Sequence, residues 1–356
     1  MNTPVYITSA AAWIPPGESA KEAVAAGRYS ADDMNTDQIP CLPVAPDDIS
    51  VPDMGVLAGR TALERAAHVV GDRIDLVVHA SIYHQGRDHH WTSAPYIQRE
   101  LGITGAFAVN VEGMSNGGMA AIDLAMAQLE AGRGTSALVT TSDRFCPPGF
   151  DRWRGSYGIV FGDGSTAMVL STAGGFARIH AIASLTDATM EQLHRGTEPF
   201  THAYGLVDDE NLRESKKSYL AQVGRESVLK RAEDALMSVV RSVLDKTGRE
   251  LDDFAKILLP NMGRGLMEIQ FFKPLGISAD RTLWDWGRYT GHLGAGDLTA
   301  EVARLVEKKE VQPGDQVLLV GAGGGYSLTA AVVEIETVPD WPEATTDVPL
   351  PADVTD

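Results

Sequence analysis

Cysteine is nearly absent from this 356-residue sequence. Cys41 and Cys146 stand apart without CxxC spacing, so neither a disulfide framework nor a structural zinc site is implied, and a reducing cytoplasm is the expected compartment. Basic residues are also scarce, 30 against 48 acidic ones, and the net charge of -18 repels phosphate backbones and anionic lipid surfaces. No nucleic-acid partner is expected. No apolar run approaches the roughly 20 residues of a membrane helix, and Met1–Pro15 lacks the basic stretch of a leader. The chain is expected to stay where it is made, off the membrane.

What is present is the composition of a well-cored globule, 44% hydrophobic and 22% charged. The length exceeds what one core usually holds, which favours a duplicated domain. Apolar β-rich runs at 5–14, 74–83, 106–111 and 137–142 alternate with helical spacing at 54–70, 96–101 and 115–131, and then come two adjacent β runs, 158–170 and 176–185. A long amphipathic stretch, 218–246, opens a second series with a short strand at 257–259 and helices around 265–272 and 298–308. It too ends on two β runs, 317–320 and 327–335. The shared order predicts an α/β fold of two duplicated halves, residues 1–186 and 218–336. The polar segment 187–217 reads as an insertion that caps a site. The acidic, Pro-rich residues 337–356 read as a solvated tail.

Four stretches carry candidate chemistry. In Asn110–Ala121 a strand passes through small residues into a helix that is apolar on nearly every face, and Ser115 stands at its start. There the helix dipole and free N–H groups favour a nucleophile that must lose a proton; a simple helix cap is the alternative. Asn261 follows a short strand and a proline, and His292 sits in the loop Gly291-His292-Leu293-Gly294-Ala295-Gly296-Asp297 before a helix. Loops beyond the carboxyl ends of strands in α/β sheets converge on one pocket. Gly321-Ala322-Gly323-Gly324-Gly325-Tyr326 is followed by the alternating SLTAAVVEIE and not by a helix, which excludes a dinucleotide site. Its glycines instead allow close backbone approach to a ligand. Loop residues His84, Asp88, His89 and His90 read as a polar pocket rim, and no metal site is expected.

Together these stretches resemble the β-ketoacyl-acyl-carrier-protein synthase III group of the thiolase superfamily, from Val5 to about Glu336. Phe161-Gly162-Asp163-Gly164 resembles that family's FGDG turn, and Gly323-Gly324-Gly325-Tyr326 its terminal Gly-rich turn. The resemblance implies a thiolase-like, five-layered αβαβα fold and a homodimer. It also implies ping-pong acyl transfer from a thioester of an acyl carrier protein or CoA, with no cofactor. Ser115 occupies the position of the nucleophilic cysteine, and the family's His and Asn positions are exchanged, as Asn261 and His292.

A serine hydroxyl is scarcely ionised at neutral pH, so it needs a base close by. His292 is the candidate, with Asp297 orienting it or, alternatively, only capping the following helix. Asn261 is expected to hydrogen-bond the substrate or the base, and the N–H groups of Ser115 and Gly324 to form an oxyanion hole. The function expected is an acyltransferase of specialised metabolism that acts through an acyl-serine intermediate on a hydroxyl or amine of a small-molecule acceptor. A decarboxylating ketosynthase and a catalytically silent ketosynthase partner are the alternatives. Arg264, Lys216 and Lys217 are the candidates for a basic patch that docks an acidic carrier.

Overall fold

Small and β-branched residues make Val5–Trp13 (β1) a strand buried on both faces, and it lies at the middle of a nine-stranded sheet. The computed structural model describes residues 3–87, 90–197, 200 and 212–354. A short antiparallel pair follows, β2 (Gly17–Ser19) with β3 (Cys41–Pro43), bracketing α1 (Ala20–Ala25) and α2 (Ala31–Asp37). The first half continues with α3 (Val51–Val70), β4 (Leu76–Ala80), α4 (Ser93–Glu100), β5 (Phe107–Val111) and α5 (Gly117–Glu130). It ends with β6 (Ser136–Asp143), β7 (Gly164–Ser171) and β8 (Ala177–Thr186). After α6 (Gln192–Arg195), α7 (Leu212–Val223) and α8 (Arg225–Thr247) comes β9 (Phe254–Leu258). A helical run, α9 (Arg264–Met267) to α10 (Lys273–Leu275), leads through α11 (Trp284–Thr290) and α12 (Asp297–Glu307) to β10 (Gln316–Gly323) and β11 (Ser327–Ile335).

The strand order, β5-β4-β6-β7-β1-β8-β11-β10-β9, displays the duplication. Outward from β1, the pairings with β7 and then β6 are antiparallel and those to β4 and β5 parallel; outward from β8, the pairings with β11 and β10 are antiparallel and that to β9 parallel. The half-sheets join through Val5–Ile179, Tyr6–Arg178 and Ile7–Ala177. Helix α3 covers the first half-sheet and α8 the second, while α5 and α12 share a core between them. This is the thiolase-like αβαβα arrangement. It delivers the N-termini of both central helices to the same region. Among the described residues no helix is long and apolar enough to cross a membrane.

Three boundaries depart from the periodicity. β4 stops at Ala80 because the N–H groups of Ile82 and Tyr83 turn to Asp143 Oδ1, at 2.7 and 2.8 Å. β7 starts at Gly164 because buried Asp163 is claimed by the Arg152 guanidinium at 2.9 and 3.0 Å and by the N–H groups of Ala45 and Phe145. The 218–246 stretch breaks into α7 and α8 at Gly224, whose φ of 89° ends a helix readily.

The segment from Val338 is not the solvated extension expected. Trp341 packs edge-on against Phe176 and lies under the Arg65 guanidinium, 4.2 Å away. Thr345 and Thr346 donate to Glu307, itself paired with Arg65 at 2.8 Å, and Pro349 accepts the Gly17 N–H. Proline and acid content conceals these contacts because every partner lies far away in sequence.

His79 in β4 is fully buried between Thr140 and Gln85, and desolvation pushes its imidazole down to about 4. Between pH 6.5 and about 4 the unfolded chain therefore binds a proton that the folded chain refuses, so this residue's contribution is complete above pH 6.5 and falls on acidification by about 3 kcal/mol. Urea titrations across that window are expected to show the acid-side loss diminished in His79→Asn relative to the native chain.

Candidate active site

Ser115 lies in a turn of tight helix, Met114–Asn116, between β5 and α5. Met114 is held at a φ of 48°, a conformation unfavourable for a long side chain that persists only where the surroundings enforce it. β10 provides that enforcement. A Cβ on Gly323 would lie 2.5 Å from the Asn116 nitrogen and 2.6 Å from the Gly113 oxygen, so only glycine lets this strand press against the turn. Asn116 Nδ2 then donates to Thr329 Oγ1 of β11 at 3.0 Å. The Ser115 hydroxyl caps no helix; its oxygen is 2.7 Å from His292 Nε2.

His292 reaches that position from the second half. Its main chain pairs with the FGDG turn, N–H to Val160 O at 2.9 Å and O from Gly162 N–H at 3.0 Å, and its ring packs on Phe161 with centroids 5.4 Å apart. His292 Nδ1 donates to Asp297 Oδ2 at 2.6 Å. That carboxylate also accepts the N–H of Leu293 at 2.7 Å and of Asn261 at 2.8 Å. Asp297 is thus the first residue of α12 but serves the imidazole and two neighbouring amides. With its proton held on Nδ1, the ring presents the Nε2 lone pair to Ser115.

Asn261 corrects the sequence reading. Its side-chain amide donates to Thr290 Oγ1 at 3.0 Å and its oxygen faces Gly287, where a Cβ would lie 2.1 Å away. Its main-chain N–H donates to Asp297, while its side chain is held by Thr290. Gly324 lies against Met114, and both Gly324 and Ser115 line a 440 Å³ cavity. The proposed basic patch is dispersed: Arg264 pairs with Glu268, Lys217 with Glu214, and Lys216 turns into the cavity wall to donate to Ser156. Asp88 and His89 of the expected polar rim lie outside the described residues.

Two supporting carboxyls escaped the sequence reading. Asp143, at the end of β6, accepts the N–H of Ala295 as well as those of Ile82 and Tyr83, tying the His292 loop to the first half; burial pushes it up to about 7 against the pull of these donors. Glu301, one turn after Asp297, accepts the Leu259 N–H, and burial together with the Asp297 charge raises its carboxyl well above the ordinary range. The spacing of four between Asp297 and Glu301 on an otherwise apolar helix face was the available signal.

The two halves of the site meet at Gly118, where a Cβ would lie 2.3 Å from the Ala295 oxygen. Gly118→Ala must push α5 off the His292 loop. It is expected to cost about 1–3 kcal/mol and to displace Ser115 from His292, and thermal unfolding measures the cost.

Residues 109–188 match the family model for 3-oxoacyl-[acyl-carrier-protein (ACP)] synthase III, and residues 244–335 match the model for its C-terminal part. The chain is 28% identical over 303 residues to acetoacetyl CoA synthase NphT7 of Streptomyces sp. (strain CL190), covering 82% of this chain and 85% of that one. It is similar to the solved structure of ChlB3, described as an acyltransferase, with a TM-score of 0.88 and 34% identity over 94% of this chain and 98% of that one. The fold also matches the FabH synthase III structure from Pseudomonas aeruginosa PAO1, at a TM-score of 0.75 and 19% identity over 94% and 99% of the two chains.

Proposed function

From the premise that the chain belongs to the 3-oxoacyl-acyl-carrier-protein synthase III family of the thiolase superfamily, we propose that it is an acyltransferase working through an acyl-Ser115 intermediate. The observation that carries this reading is the relay Ser115 Oγ, His292 Nε2, His292 Nδ1, Asp297 Oδ2, with steps of 2.7 and 2.6 Å across the site. The name of ChlB3 favours the same class of reaction.

His292 takes the Ser115 proton as Oγ attacks the carbonyl carbon of a carrier-protein or CoA thioester. The N–H groups of Ser115 and Gly324 receive the oxyanion. The intermediate collapses, the thiolate leaves and takes the proton from His292, and an ester remains on Ser115. A hydroxyl or amine of a small acceptor then gives its proton to Nε2 and attacks that ester, releasing Ser115 Oγ to recover the proton. The scheme uses no cofactor. Transfer to oxygen or nitrogen is preferred over decarboxylative condensation because the His292–Asp297 pair suits deprotonation of a hydroxyl or amine, while one N–H of the Asn261 amide is engaged by Thr290. Homodimeric assembly belongs to this reading.

Incubation with acyl-carrier and acyl-CoA thioesters followed by intact-mass measurement tests it. The expected result is an acyl adduct that disappears in Ser115→Ala. Absence of any adduct would favour a silent partner, and carbon dioxide release from a malonyl donor would favour condensation.

A further inference from the structure

Helices α6 and α7 place two side chains that the reaction scheme leaves unused, His194 and Lys216, in the wall of the Ser115 cavity. Around them the wall is apolar, including Leu193, Leu220, Val228 and Leu266. Lys216 Nζ donates to Ser156 Oγ at 2.8 Å, and among the described residues it has no carboxylate partner. Nearby Arg213 is paired with Asp33, so it repels Lys216 without supplying a counter-ion. His194 Nδ1 is buried without a hydrogen-bond partner. Burial and Arg213 push the Lys216 ammonium down to about 8, and burial with the Lys216 charge pushes His194 down to about 3, so the imidazole is neutral at physiological pH.

A cation without a counter-ion among the described residues and an orphaned imidazole nitrogen, both in the wall of an apolar cavity, are costly to the free protein. A ligand oxygen bearing negative charge in that cavity satisfies the cation with a charge-assisted bond from the ammonium, beside the neutral His194 ring. We propose that Lys216 and His194 form a subsite for a carboxylate on the acyl group delivered to Ser115, so that the preferred donor is a thioester of a dicarboxylic acid. This rests on the acyl-transfer reading above. The apolar wall takes the intervening carbons. Lys216 lines the same cavity as Ser115, so an anionic group on the acyl chain and the reacting carbonyl occupy one space.

Calorimetric titration of Ser115→Ala, which has no nucleophile to acylate, decides the point. The probes are the N-acetylcysteamine thioesters of adipic and hexanoic acid, which carry no phosphate. The adipoyl thioester is expected to bind about tenfold or more tightly than the hexanoyl one. Adding Lys216→Met, which keeps the aliphatic stem, is expected to remove that preference, and Lys216→Arg to retain part of it; thermal unfolding of each variant shows that the fold persists. Equal affinities, or a preference that survives Lys216→Met, overturn the subsite. So does a Lys216 dependence seen only with CoA thioesters, which would assign the cation to phosphate. No acyl transfer is required, so this result stands apart from the fate of the acyl-serine.

Discussion

His292→Ala is expected to slow acylation of Ser115 by about 10⁴-fold or more, yet to cost the Ser115→Cys variant no more than roughly 30-fold. The difference follows from ionisation. A serine hydroxyl at neutral pH has essentially no ionised fraction, so the proton must go to a base in the transition state, and Nε2 at 2.7 Å is placed to take it. A thiol of ordinary acidity is already a few per cent thiolate at pH 7, which limits what a base can add by deprotonation. Single-turnover acylation of the four chains, native, each single variant and the double, gives the interaction directly. Equal losses in both backgrounds would show that His292 shapes the site without accepting the Ser115 proton.

Asp297→Asn is expected to reduce transfer by roughly 10³- to 10⁴-fold and to destabilise the fold by about 1–3 kcal/mol. The carboxylate accepts from His292 Nδ1, Leu293 N and Asn261 N. An amide has one acceptor oxygen, so at least one of these donors then meets an NH₂ group. If that donor is His292, the ring adopts the tautomer with its proton on Nε2 and offers Ser115 a donor instead of a lone pair. Glu301→Gln is the matched control. Burial and the Asp297 charge raise the Glu301 carboxyl well above its ordinary range, which favours the neutral form that the amide imitates. Its transfer rate is expected to stay within about tenfold of the native value. A comparable loss in Glu301→Gln would mean that the site responds to any change in the buried carboxyl pair.

Ser115, His292 and Asp297 were legible in the sequence because each stands where a loop enters a helix, and because the pattern of strands and helices places such junctions at one end of a sheet. The alternation also gave the duplication, since backbone pairing depends on local periodicity. Asn261 was legible as a site residue but not as to its function. Its side-chain direction depends on Gly287 of α11, 26 positions away, leaving room for the amide. Lys216 reads as a surface cation in the sequence, and no spacing singles out His194. On short amphipathic helices a residue facing a cavity and one facing water have the same spacing. The extension after Val338 was misread for the opposite reason: its composition resembles that of a solvated chain, while the rings and hydroxyls that dock it are few.

The position of that extension bears on how the molecule is made. Arg65 belongs to the first half, but its counter-ion Glu307 and the Glu343 carbonyl that it also contacts are translated more than two hundred residues later. His292, the proposed base for Ser115, follows it by 177 residues. A nascent chain that has finished its first half-sheet therefore holds a Ser115 hydroxyl without its His292 partner and a guanidinium not yet neutralised. Catalytic competence and completion of the core should arrive together, once the residues around 345 have emerged from the ribosome.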